Sequence, residues 1–217
     1  MKNNINVIIF DFDGVILEST KIKNKAFGDL YSMYGENIIK NVLEYDKDNQ
    51  GVSRFNKIKF FHKEFLKKNI SDDELKILAN QYKNLILKKI VKCQFVTGSK
   101  EFIINNYKDY CFHIATGTPD DEIKYITKFL GIDEYFLSIC GSPKEKCQIV
   151  KDIIEDNGYD NDNIVLIGDS DADYKAANDN SVKFIRRIHP NFDISLIKNS
   201  HALYDLTELG KILTKIF

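Results

Sequence analysis

The stretch Ile8-Ile9-Phe10-Asp11-Phe12-Asp13-Gly14-Val15 decides how this chain is read. The wholly apolar run at residues 7–10 suits a strand covered on both faces. It ends directly in two acids one residue apart, and the glycine that follows permits a sharp turn. Side chains two apart on extended backbone point the same way, so Asp11 and Asp13 can address one site. A bare Asp-x-Asp is more often a solvated turn. The strand end, the aromatic between the acids and the following glycine argue against that here.

Outward from this stretch, short apolar runs recur at residues 6–10, 110–115, 136–140, 163–167 and 182–188, with a weaker one near 202–204. Helical periodicity separates the later ones. Strand alternating with helix implies right-handed crossovers and a doubly wound, parallel-sheet, Rossmann-like α/β core. Between about residues 19 and 89 only helical patterns occur: Ala26, Phe27, Leu30, Tyr31; then Ile58, Phe61, Phe65, Leu66; then Leu75, Leu78, Tyr82, Leu85, Ile86. Ser71 followed by Asp72, Asp73 and Glu74 reads as a helix N-cap. So long a helical stretch exceeds a plain crossover. The expected organisation is a catalytic core of residues 1–17 and 91–217, with a helical cap domain, residues 18–90, inserted after the first strand. Such a cap would lie over the sheet's carboxyl edge, where open α/β sheets bind ligands.

The 217 residues carry 31 Lys plus Arg against 32 Asp plus Glu, a net charge of -1. That balance gives no electrostatic footprint for nucleic acid. No apolar run approaches the ~20 residues of a membrane span, and the N-terminal one is too short for a signal peptide. Cys93, Cys111, Cys140 and Cys147 lack the close paired spacing of zinc or redox motifs. A reduced, cytoplasmic protein, monomeric and without nucleic-acid or membrane partners, is the expectation. Arginine occurs only at 54, 186 and 187.

Ile164-Val165-Leu166-Ile167-Gly168-Asp169-Ser170-Asp171-Ala172-Asp173 repeats the theme of a buried strand ending in acids. Carboxylates converging from two strand ends suit Mg2+, which takes one or two carboxylates plus water and phosphate oxygens. The alternation of Asp169, Asp171 and Asp173 also resembles the start of a calcium-binding loop. That loop would need glycine at 174 and glutamate at 180, where Tyr174 and Asn180 stand, so calcium is excluded. After the second strand, the hydroxyl and backbone N–H groups of Thr116-Gly117-Thr118 can hold phosphoryl oxygens. After the third, Lys144 or Lys146 can reach a phosphate or an aspartate.

With these residues the chain resembles the haloacid dehalogenase-like hydrolases, in the branch of phosphoglycolate phosphatase and β-phosphoglucomutase. Asp11-Phe12-Asp13-Gly14-Val15 is similar to that family's first motif, Thr116 to its second, a lysine within 144–146 to its third, and Gly168-Asp169 with Asp173 to its fourth. The resemblance implies phosphoryl transfer from a small phosphorylated metabolite through an aspartyl phosphate. Asp11 would attack phosphorus, and Asp13 would act as acid and then base. Asp11, the Asp13 carbonyl and Asp169 would hold Mg2+, with Asp173 behind them. Thr116 and Gly117 would bind the phosphoryl oxygens and the lysine would neutralise charge. Lys146 is preferred to Lys144 because the family's lysine often follows Gly-Ser-Pro by three residues, although a slip of two positions would exchange them. Asp173 has the spacing of the family's second acid, and Asp171 could replace it.

The segment Gly51-Val52-Ser53-Arg54 resembles a stretch of the mutase cap whose arginine contacts a substrate phosphate. Arg54 is therefore a candidate contact for a remote anionic group, against the alternative of a surface loop. Glu18, Ser19 and Lys23 lie on the path into the cap and are candidates for facing the site. Lys23 stands where the mutase has histidine, which favours a Mg2+-dependent phosphatase of a small phosphate monoester over a phosphosugar mutase. A carbon–halogen hydrolase would lack Asp13. A receiver-like signalling domain or a non-catalytic phosphate-binding protein is the alternative from another class.

Overall fold

The computed structural model describes residues 5–189 and 201–216. Strand β1 (Val7–Phe10) lies inside a six-stranded sheet with β2 (Cys111–Pro119), β3 (Ser138–Ser142), β4 (Ile164–Gly168), β5 (Lys183–Arg187) and β6 (His201–Leu203). The order is β3-β2-β1-β4-β5-β6, and every pairing is parallel. All four residues of β1 are buried because its side chains alternate between two covered faces. Ile8 and Phe10 pack with Phe102 and Ile103 of α5 (Ser99–Asn106), Ile123 and Ile126 of α6 (Asp120–Leu130), and Leu209 and Leu213 of α9 (Leu209–Ile216). Val7 and Ile9 face Ile149 and Ile153 of α7 (Lys146–Asn157) and Ala176 and Ala177 of α8 (Asp171–Asp179). The doubly wound, Rossmann-like α/β class is thus the observed one.

The strand order reverses at β1, whose neighbours are β2 and β4. The crevice outside the carboxyl ends at such a switch point is where doubly wound sheets place ligands. Phe10 is level with Ile114 of β2 and Ile167 of β4, so Asp11, Thr116 and Asp169 emerge together at this edge.

Between β1 and β2 run α1 (Thr20–Leu30), α2 (Glu36–Asp48), α3 (Arg54–Phe60) and α4 (Asp72–Ile90), and α3 widens into a π turn over Phe61–Phe65. Helix α4 starts where Ser71 and Glu74 exchange hydrogen bonds in a capping box. Phe27, Tyr31, Phe61 and Tyr82 form the aromatic heart of these helices, with Phe27 and Tyr82 ring centres 4.2 Å apart. Helix α2 carries too thin an apolar stripe to show in the sequence: its buried residues are Val42 and a charged one, Asp46. Strand β2 also runs further than the apolar pattern, through Pro119. The expected strand-to-helix turn at residues 116–118 is instead extended chain, where the register with β3 slips between Ala115 and Pro119. No helix among the described residues is long and apolar enough to cross a membrane.

Candidate active site

Asp11 keeps its backbone on the sheet, donating its N–H to the Ile167 carbonyl at 2.9 Å, and its side chain is buried at the carboxyl edge. One carboxylate oxygen from each of Asp11, Asp169 and Asp173 lies within 4.8 Å of the others. Lys146, the first residue of α7, reaches into this group: its Nζ is 3.1 Å from Asp11 Oδ1 and hydrogen-bonds Asp173 Oδ1. The other oxygen of Asp173 accepts from the Ser170 N–H at 3.0 Å and the Ser170 hydroxyl at 2.5 Å, in the capping box that begins α8. Asp169 Oδ1 is buried with no hydrogen-bond partner, and the buried Asp11 Oδ1 has the Lys146 ammonium alone.

Three or more carboxylates around one ammonium leave an excess of negative charge. Burial pushes the Asp11 carboxyl from its ordinary 3.8 up to about 8, with Asp173, Asp169 and Asp13 adding repulsion against the pull of Lys146. Burial likewise raises Asp169, beyond what its bond from His189 offsets. Burial acts to lower Lys146, but Asp11 and Asp173 outweigh it and the ammonium is held above its usual range. Orphaned carboxylate oxygens in an all-oxygen donor set fit a hard divalent cation. Asp169 offers an unpartnered oxygen and Asp11 one met only by Lys146, whereas both oxygens of Asp173 are taken by Lys146 and Ser170.

Without metal, between about pH 4 and pH 8 the folded chain binds a proton at Asp11 that the unfolded chain does not. The stability due to this residue therefore falls as pH rises through that window. Urea denaturation in EDTA from pH 5 to 8 should show this fall in the native sequence, and Asp11→Asn should lessen it.

Asp13 is in the opposite condition. Burial acts to raise it, but Lys23 together with hydrogen bonds from Ser19 (2.5 Å) and Thr118 (2.8 Å) holds its carboxyl below the usual value. Lys23 also donates to the Thr118 hydroxyl at 2.6 Å, so α1 and β2 grip this carboxylate jointly. Thr116 and Gly117 line the same cavity, of about 60 Å³, with Arg54, Lys57 and Asp46.

Two glycines are required by close approach. Gly14 has φ +77°, and a Cβ there would enter the Asp169 carboxylate. A Cβ on Gly117 would stand 2.5 Å from the Gly51 carbonyl, because the loop between α2 and α3 sits directly on β2's end. Gly14→Ala is expected to lose about 1–2 kcal/mol to the left-handed backbone alone and to displace Asp169. A lower melting temperature together with weakened metal binding would register both.

Several sequence candidates lie elsewhere. Lys144 pairs with Asp152 on the exposed side of α7, because the chain enters that helix two residues later. Asp171 is 92% exposed and pairs with Arg186. Glu18 pairs with Arg187 and does not line the cavity, while its N–H bonds the Gln94 carbonyl at 3.0 Å. Arg54 is not a surface residue: its guanidinium is buried, forked onto Glu122 at 3.0 and 2.5 Å, and stacked 4.8 Å over Tyr82. It borders the cavity with its charge already matched. His189, which contacts Asp169 at 3.0 Å, was not singled out by the sequence, nor was the bond from the Thr118 hydroxyl to Asp13. Thr118 stands near the end of β2 and His189 just after β5, and that position at the carboxyl edge was the available signal.

Fold and site together define an α/β protein whose acids converge at a topological switch point beneath a helical layer. The sequence profile of the haloacid dehalogenase-like hydrolases matches residues 8–186, and the chain belongs to that family. Its hydrolase and phosphotransfer relatives include proteins solved in the same fold. A β-phosphoglucomutase from Clostridium difficile superposes with a TM-score of 0.78 at 18% identity, covering 98% of both chains. CbbY from Rhodobacter sphaeroides, in complex with phosphate, gives 0.73 at 16% identity over 95% of this chain and 96% of that one. YfnB from Bacillus subtilis, described as a HAD-hydrolase and bound to magnesium, gives 0.73 at 17% over 97% and 99%. At these identities the likeness is one of fold. Among curated proteins, none matches the chain.

Proposed function

We propose that this chain is a Mg2+-dependent phosphatase of a small phosphate monoester, a sugar phosphate or related metabolite, working through an aspartyl phosphate. The observation that carries the reading is Asp11. It is a buried carboxylate whose Oδ1 meets only the Lys146 ammonium, facing a cavity that it shares with Asp13 and Thr116. Mg2+ held by Asp11, the Asp13 carbonyl and Asp169 would offset the repulsion between an anionic nucleophile and an anionic phosphoryl group.

Asp11 attacks phosphorus and the ester P–O bond breaks, with the leaving oxygen taking a proton from Asp13. Water then gives a proton to Asp13 and attacks the phosphorus. The bond to Asp11 breaks and inorganic phosphate departs. Thr116 and Gly117 bind phosphoryl oxygens, and Lys146 balances charge on Asp11 and the phosphoryl group. The arrangement seen here suits the second half, since Lys23, Ser19 and Thr118 keep Asp13 ionised. The first half requires Asp13 to carry a proton, so Lys23 parts from it as the phosphate arrives.

We read the helical segment 18–90 as the cap that closes over this chemistry. The cavity's cations bear on the substrate: Lys23 is matched by Asp13, Lys57 by Asp46 and Arg54 by Glu122. That supports a monophosphate with an uncharged leaving group rather than a substrate with a second phosphate. The phosphosugar mutase remains as a second reading because Gly51 seated on Gly117 would shield an intermediate from water. A screen of sugar, polyol, nucleotide and amino-alcohol phosphates tests the proposal. Inorganic phosphate should appear with Mg2+, vanish in EDTA and return on adding Mg2+. Activity indifferent to chelation would refute the metal's role, and phosphate returning to another hydroxyl would favour the mutase.

A further inference from the structure

The side chain of Arg187, at the end of β5, is buried. Its Nε donates to the Tyr204 carbonyl at 3.1 Å, Nη2 to Glu18 at 2.5 Å, and Nη1 to the Gly14 carbonyl at 3.2 Å and more distantly to Glu18. Nη1 also lies 2.7 Å from Nδ1 of His189. A guanidinium has hydrogens to give and no lone pair to receive one. At that contact Nδ1 is therefore the acceptor, and the ring hydrogen resides on Nε2. That nitrogen is 3.0 Å from Oδ2 of Asp169. The same Oδ2 lies against Gly14, where any Cβ would strike it. One oxygen of Asp169 is thus pinned between a ring donor and a bare glycine, while Oδ1 is buried with no partner.

We propose that His189 is a positioning residue: its Nε2–H, oriented by Arg187, fixes Asp169 so that Oδ1 faces the divalent cation. The inference rests on the metal-dependent reading above and deepens it. Partners of this kind fix the orientation of ligating groups, and their removal typically costs ~10–100-fold in metal affinity. Arg187 also holds the carbonyl of Gly14, the residue after Asp13, so one buried guanidinium braces both acid-bearing segments. His189 is the replaceable part of this arrangement, because its side chain is 37% exposed and belongs to neither core cluster of the described residues.

The test is Mg2+ binding by calorimetry, without substrate, on the full chain, His189→Ala and His189→Gln, with melting temperatures in EDTA. The glutamine amide can place a donor near the position of Nε2, whereas alanine has none. His189→Ala should weaken Mg2+ binding at least about tenfold, with the metal-free melting temperature lowered only by the lost hydrogen bonds. His189→Gln should restore most of the loss. Unaltered Mg2+ affinity in His189→Ala would overturn the proposal. Equal weakening in both variants would also overturn it, by assigning His189 a role other than donating to Asp169. A native chain that binds no Mg2+ would remove the metal-dependent reading itself, an outcome distinct from these and equally fatal.

Discussion

Asp11→Asn is expected to abolish phosphate release, lowering kcat by more than about 10³-fold, while the chain stays folded. The amide nearly matches the carboxylate in shape, so the buried position loses no packing. What it loses is the nucleophile and one carboxylate oxygen of the cation site. Without metal the substitution also relieves repulsion, since Asp11 stands among Asp13, Asp169 and Asp173 with its carboxyl pushed up to about 8. The metal-free variant should therefore match or exceed the native chain in urea midpoint at pH 8. Phosphate release and denaturation measured side by side separate the two effects. Turnover comparable to the native chain would rule Asp11 out as nucleophile.

Lys146→Met is expected to damage both stability and activity. Its ammonium is the only cation touching Asp11 and Asp173 among the described residues, and all three groups are buried. Breaking a buried pair by removing one partner costs about 3–5 kcal/mol, because the remaining charges lose their compensation. The loss should be smaller with Mg2+ present, as a cation supplies part of the missing charge. Removal of one preorganised electrostatic group typically costs ~10²–10³-fold in turnover, and that is the expected drop. Lys144→Met is the control: its partner Asp152 is on the exposed flank of α7, so neither quantity should move.

The parallel sheet was legible because its central strands, β1 and β4, are buried on both faces and appear as unbroken apolar runs. Asp11 and Asp169 were legible for the same reason, as acids placed directly after such runs. Helix α2 was not, since a stripe containing Val42 and the buried Asp46 carries little hydrophobic signal. Neither was the setting of Arg54. Its partner Glu122 is 68 residues further along the chain, and periodicity says nothing about pairs brought together by topology. The choice between Lys144 and Lys146 turns on where α7 begins, and helix ends are poorly marked in sequence when no capping side chain announces them. The grip on Asp13 by Lys23 and Thr118 joins residues from two elements, so it appears only once α1 is laid against the end of β2.

The central claim is that Asp11 carries the phosphoryl group. Turnover of a 32P-labelled monoester, quenched in acid and followed by peptide mapping, tests it most directly. The account predicts label on the peptide containing Asp11, stable to acid, released by hydroxylamine and missing from Asp11→Asn. Label on any other residue, or turnover in Asp11→Asn at the native rate, would contradict it.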